Sequence, residues 1–131
     1  MKTVVCLSVL FLAGMTLRAA DITGKWSGFF SRTGPNGEAQ QETTFLILQQ
    51  KGTEVTGSGG PEEVRQYPIQ NGKIEGDRIT FEVLGEGPLY KLDLVLEGDH
   101  IKGDVTVVVL GGETVKAKVD ITRVQSSKDG L

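Results

Sequence analysis

The sequence predicts an all-β protein: a single antiparallel up-and-down meander of about eight strands, closed into a barrel. Three observations carry that expectation. After residue 20, apolar residues recur at every second position far more often than at helical spacing, and no stretch of ten residues there is periodic like a helix. Glycine makes up 18 of the 131 residues, and turn pairs return at short intervals. A meander of sequential hairpins has two exposed edges, which a small sheet removes by closing on itself.

The chain opens with a segment that belongs to no strand. Residues 1–20, MKTVVCLSVLFLAGMTLRAA, place Lys2 before an apolar run from Thr3 to about Leu17 and end on Ala19 and Ala20. That order is expected of a secretory signal peptide, cut near Ala19 or Ala20. The run is shorter than the roughly 20 residues that span a bilayer. Met15 stands where a lipoprotein would need its acylated cysteine, and Cys6 leaves with the leader.

The strands then follow in order. The first are read near residues 22–32, 41–50, 53–58, 66–70 and 78–84. QNGKIEGD, residues 70–77, offers two turn positions, Asn71-Gly72 or Gly76-Asp77. The last three strands are the clearest. In LYKLDLVLE, Tyr90, Leu92, Leu94 and Leu96 share one face, and Gly98-Asp99 makes the turn. HIKGDVTVVVL puts Ile101, Gly103, Val105, Val107 and Val109 on one face before Gly111-Gly112. ETVKAKVDITRV faces Val115, Ala117, Val119 and Ile121 inward. A weak echo of glycine, polar residues, Val or Ile and glycine recurs in KGTEVTGSG, NGKIEGDRI and EGDHIKGDV, as tight barrel hairpins require.

Residues 21–131 are therefore expected to form one β-barrel domain. Loss of Lys2 and Arg18 lowers the basic count from 14 to 12 against 17 acids, moving the net charge from −3 to −5. The acidic balance argues against nucleic acid and anionic membrane surfaces, and no stable membrane insertion is expected once the leader is gone. Without cysteine the domain cannot be stapled, so its stability must come from burial. A chain of this size hides roughly two-thirds of its unfolded surface, enough for one core. The expected location is periplasmic or outside the cell.

The only tryptophan, in ITGKWSG, shares a face with Gly28 and Phe30. Arg123 lies in register with Val119 and Ile121 on the last strand, where an unmatched buried charge would cost several kcal/mol. In a closed meander the first and last strands are neighbours, so Arg123 is expected across the Trp26 indole. Gly24-Lys25-Trp26 with Arg123 resembles the calycin pattern shared by lipocalins, fatty-acid-binding proteins and avidins, the last of which open with a very similar TGKW. The resemblance implies a lipocalin-like barrel in which Gly24, Trp26 and Arg123 close one end as structural residues. Avidin sites wall biotin with several tryptophans, and the single one here argues against biotin. The disulfides of lipocalins and the helical lid of fatty-acid binders have no counterpart. The chain also resembles small exported bacterial barrel proteins with no assigned role.

No catalytic residue, cofactor or metal site is expected. His100 is the one histidine and follows a turn, with no cysteine to join it on zinc. Asp77, Glu97, Asp99 and Asp104 sit at strand ends, where they satisfy turn backbone. Glu62 and Glu63 are adjacent on an extended chain and point apart. Hydrolase elbows, phosphate loops and metalloprotease motifs are missing from the sequence, so an enzyme is not expected.

Two loops, residues 33–40 and 59–68, are candidate binding segments on a rigid scaffold. Two readings follow. The first is an interaction or accessory module whose barrel is filled and whose loops bind another protein or an envelope polymer. The second is a carrier of a small hydrophobic ligand, with Phe30, Tyr67, Phe81 and Tyr90 as pocket walls. The abundance of Leu, Ile and Val on the inner faces favours the first.

Overall fold

Alternation of side chains is what turns this sequence into a container. A computed structural model describes residues 21–33 and 37–124. The expected leader, residues 1–20 with Cys6, and residues 34–36 of the first loop lie outside the described residues, as do 125–131. The eight strands are β1 (Gly24–Thr33), β2 (Ala39–Lys51), β3 (Glu54–Glu62), β4 (Arg65–Glu75), β5 (Arg78–Leu84), β6 (Leu89–Glu97), β7 (His100–Val108) and β8 (Thr114–Arg123). Each pairs antiparallel with the next, and β8 returns to β1, so the sheet is a closed barrel.

Inner faces carry the apolar residues. Leu46, Leu48, Ile79, Phe81, Leu94, Ile101, Val105 and Ile121 are among those buried there, and no polar or charged side chain is buried among the described residues. At about 25 cal/mol per Å² this burial is the main favourable term in a chain without cross-links. Outward positions carry cross-strand charge pairs instead, such as Arg78 with Asp93 and Lys118 with Asp104, both at 2.7 Å. Exposed pairs of this kind contribute little to stability and chiefly fix which face is wet.

The seam between β1 and β8 needs one residue without a side chain. An added Cβ on Gly28 would lie 2.1 Å from the Asp120 carbonyl oxygen, so only glycine lets the two backbones approach this closely. Trp26 pairs with Arg123 and Phe30 with Val119 along that seam.

Two expectations are corrected. Residues 59–68 are not a loop: β3 runs to Glu62, β4 starts at Arg65, and Glu63-Val64 is the tip between them. Gly59, Gly60 and Pro61 have low strand propensity, but pairing of Gly59 with Tyr67 and Glu62 with Arg65 overrides it. β4 also extends well past residue 70. Its turn is Gly76-Asp77, and Asn71-Gly72 forms a bulge inside the strand, where the ladder slips between Gln70 and Lys73. Asn71 sits at φ 55°, a conformation that Asn tolerates better than most residues.

Candidate functional site

The two ends of the barrel are built differently. At one end lie the start of β1, the end of β8 and the turns β2–β3, β4–β5 and β6–β7. Trp26 fills it. The indole is fully buried and its Nε1–H donates to the Ile22 carbonyl at 3.0 Å. Arg123 lies over the ring, its guanidinium carbon 4.5 Å from the centroid. The same guanidinium donates to the carbonyls of Thr23 at 2.9 Å and Asp21 at 3.0 Å. One side chain thus ties the segment before β1 across the end of the barrel.

Ile22 is buried beneath that strap, and its N–H donates to Gln50 Oε1 at 3.0 Å. Gly24, at φ 141°, leaves room for the guanidinium: a Cβ there would lie 3.2 Å from Arg123 Nη1. The close neighbour is thus a side chain and not a backbone. Gly24, Trp26 and Arg123 are brought together as a sealed end.

The opposite end is open. It carries the connections β1–β2, β3–β4, β5–β6 and β7–β8, so both candidate binding segments reach it. A cavity of about 290 Å³ enters the barrel there. Leu46, Val83, Leu92, Val105 and Val119 form its floor, and Phe30, Tyr67 and Tyr90 its aromatic walls. Phe30 and Tyr90 meet edge to face, with centroids 6.1 Å apart. Phe81, expected with them, is 2% exposed, pairs with Leu92, and packs in the core below without lining the cavity.

The rim is polar. Glu42, Arg65 and Glu86 line it with Thr43 and Thr44. Arg32 meets Glu42 at 3.4 Å. Partial burial first, and then the neighbouring Glu86 carboxylate, hold the Tyr67 hydroxyl above the ordinary phenol range. Tyr67 is therefore a neutral donor at the cavity wall throughout the physiological range. Sequence reasoning passed over Glu42. The signal was present: the inward face of β2 changes from Gln40, Glu42 and Thr44 to Leu46 and Leu48, marking where the core ends and the mouth begins.

The remaining candidates stand apart. His100 Nδ1 lies 2.9 Å from Asp120 Oδ1 on the exposed wall, and Glu63 meets Lys25 at 2.6 Å. Among the described residues no three His, Cys, Asp or Glu side chains are grouped to hold a metal ion.

The arrangement defines a closed β-barrel with one sealed end and one open cup. Comparison with protein-family models, with curated proteins and with solved structures gave no match in any of the three.

Proposed function

We propose that the protein is an exported, non-enzymatic binding module of calycin-like build. It engages a protein or an envelope polymer at its open end by taking one apolar group of that partner into the cup. The observation that carries this reading is the cup's size. At about 290 Å³ it falls just below the roughly 300–1,000 Å³ of ordinary ligand pockets, enough for a bulky apolar side chain or a small apolar molecule. Two exposed apolar residues support a larger partner. Val64, on the β3–β4 tip, is 88% exposed and Leu110, in the β7–β8 connection, is 82% exposed. The charged outer wall, with Lys25, Lys91, Lys102 and Lys118, is unlike the apolar outer band of a membrane barrel. The calycin comparison is supported by the Trp26–Arg123 stack, and export by the composition of residues 1–20.

The edge-to-face pair of Phe30 and Tyr90 favours a second reading, in which a free ring-sized apolar molecule is the ligand. A thermal-shift titration separates the two. A small aromatic probe such as 4-methylphenol should stabilise the protein, by about 2.7 kcal/mol at 100 times its dissociation constant. Thr44→Phe, which fills the cup above Gly28, should abolish the shift and leave the melting temperature near that of the parent. A native partner whose binding survives Thr44→Phe would remove the cup from the function. Tight binding of a free compound with no macromolecular partner would favour the carrier.

A further inference from the structure

Half of β2 has no neighbour on one side. The strand pairs with β1 from Ala39 to Leu48, but with β3 only from Phe45 onward. The cause is local. The β3–β4 ladder slips between Gly59 and Glu62, and beyond Gly60 β3 leaves the β2 ladder while staying paired with β4 to Glu62. The Gln66 side chain closes the base of the split, donating to the Phe45 carbonyl at 3.1 Å and the Glu62 carbonyl at 2.8 Å. Thr43 Oγ1 donates to the Pro61 carbonyl at 3.0 Å.

The Phe45 carbonyl faces the β3 side, and backbone direction alternates along a strand. The N–H and C=O groups of Thr43, Gln41 and Ala39 therefore face the split. Among the described residues no backbone hydrogen bond from another element reaches them. The edge also lacks the lysine or proline that commonly blocks pairing, and its one charge, Glu42, is matched by Arg32. Thr43 and Thr44 on one side of the split and Gly60 and Pro61 on the other all line the cup. Edge and cup are one continuous opening.

We infer that the free edge of β2, residues 39–44, is a strand-addition site for an extended segment of a partner protein, which passes one apolar side chain through the split into the cup. Only a polypeptide matches a row of alternating donors and acceptors, and strand addition draws affinity from the main chain and specificity from a pocket for one side chain. Glu38, Glu62 and Glu86 outnumber Arg65 around the mouth, so the fitting segment carries lysine or arginine beside its apolar residue. The inference rests on the cup reading above and adds the partner's chemistry.

The probe is the synthetic peptide acetyl-Thr-Lys-Thr-Phe-Thr-Lys-Thr-amide, titrated into isotope-labelled protein and followed by NMR. Saturable binding should slow amide exchange at Gln41 and Thr43. N-methylation of the peptide at alternate positions, or alanine in place of its phenylalanine, should each weaken binding by about tenfold or more. The edge proposal is overturned if the N-methylated peptide binds equally, or if saturation leaves Gln41 and Thr43 unprotected. It also falls if 4-methylphenol enters the cup and no peptide binds, an outcome that spares the cup. If the alanine peptide binds as tightly and 4-methylphenol not at all, the cup reading fails, and with it the side-chain half of this proposal. A dimer that Gln41→Pro dissociates at unchanged melting temperature would make the occupant a second copy and overturn the partner assignment.

Discussion

Trp26 both fills space and satisfies a carbonyl, and the two roles separate under mutation. Trp26→Ala should cost about 3–5 kcal/mol in urea denaturation, as removal of a fully buried aromatic does. Trp26→Phe keeps much of the packing but leaves the Ile22 carbonyl without its indole donor, and should fall between the two. The stack on Arg123 was legible in sequence because side-chain parity and barrel closure together determine it. The strap from Asp21 to Thr23 was not, since it depends on Gln50 and on carbonyls that only the folded end brings together. Charge acts more weakly at this scale. Hydrogen bonds from Arg78 hold the Asp93 carboxyl below the ordinary carboxylate range. A folded pKa lower than the unfolded one means stability that is present above the unfolded value and lost as pH falls through the folded one. Both groups are exposed, so solvent screens the effect. The stability gap between parent and Asp93→Asn should therefore be small at neutral pH and shrink further below about pH 4. Urea midpoints measured across that range check it.

Among the strands, the seam where β1 meets β8 has the least room. Gly28→Ala would set a methyl group against the Asp120 carbonyl, so the strands must part or shift. The expected cost is about 1–3 kcal/mol, the range for an overpacked interior. Faster amide exchange should appear first at Phe30 and Val119, which face each other across that seam. Unchanged exchange there, with protection lost elsewhere, would place the weak point of the barrel in another pair of strands. The same kind of local constraint explains what could be read in advance. β6, β7 and β8 alternate cleanly because both their faces have fixed surroundings, core inside and water outside. β3 and β4 do not alternate cleanly. A bulge at Asn71, a proline at the split and glycines against neighbouring carbonyls each break the period of two. Those breaks hid the extent of both strands, and they also shape the mouth.

At the scale of the whole molecule, chromophores report the two ends separately. The single tryptophan is in the sealed end, and the two tyrosines, Tyr67 and Tyr90, both wall the cup. The cup itself was only partly legible: Phe30 and Tyr90 were assignable from side-chain parity, whereas Tyr67 fell in a stretch that reads as a loop. The depth at which packing stops depends on strand stagger, which set Phe81 below the floor. Occupancy of the cup should therefore perturb tyrosine absorbance and raise the alkaline titration midpoint of Tyr67, since an apolar occupant further disfavours the phenolate. Tryptophan emission, excited selectively, should stay blue-shifted and unchanged, because the apolar core separates Trp26 from the mouth. Arg123→Met should give the reverse pattern, altering tryptophan emission while leaving the tyrosine titration and 4-methylphenol binding in place. If a cup ligand moved tryptophan emission as much as tyrosine absorbance, the two ends would be coupled through the core. The sealed end would then be part of the binding apparatus, and no longer only the floor on which it stands.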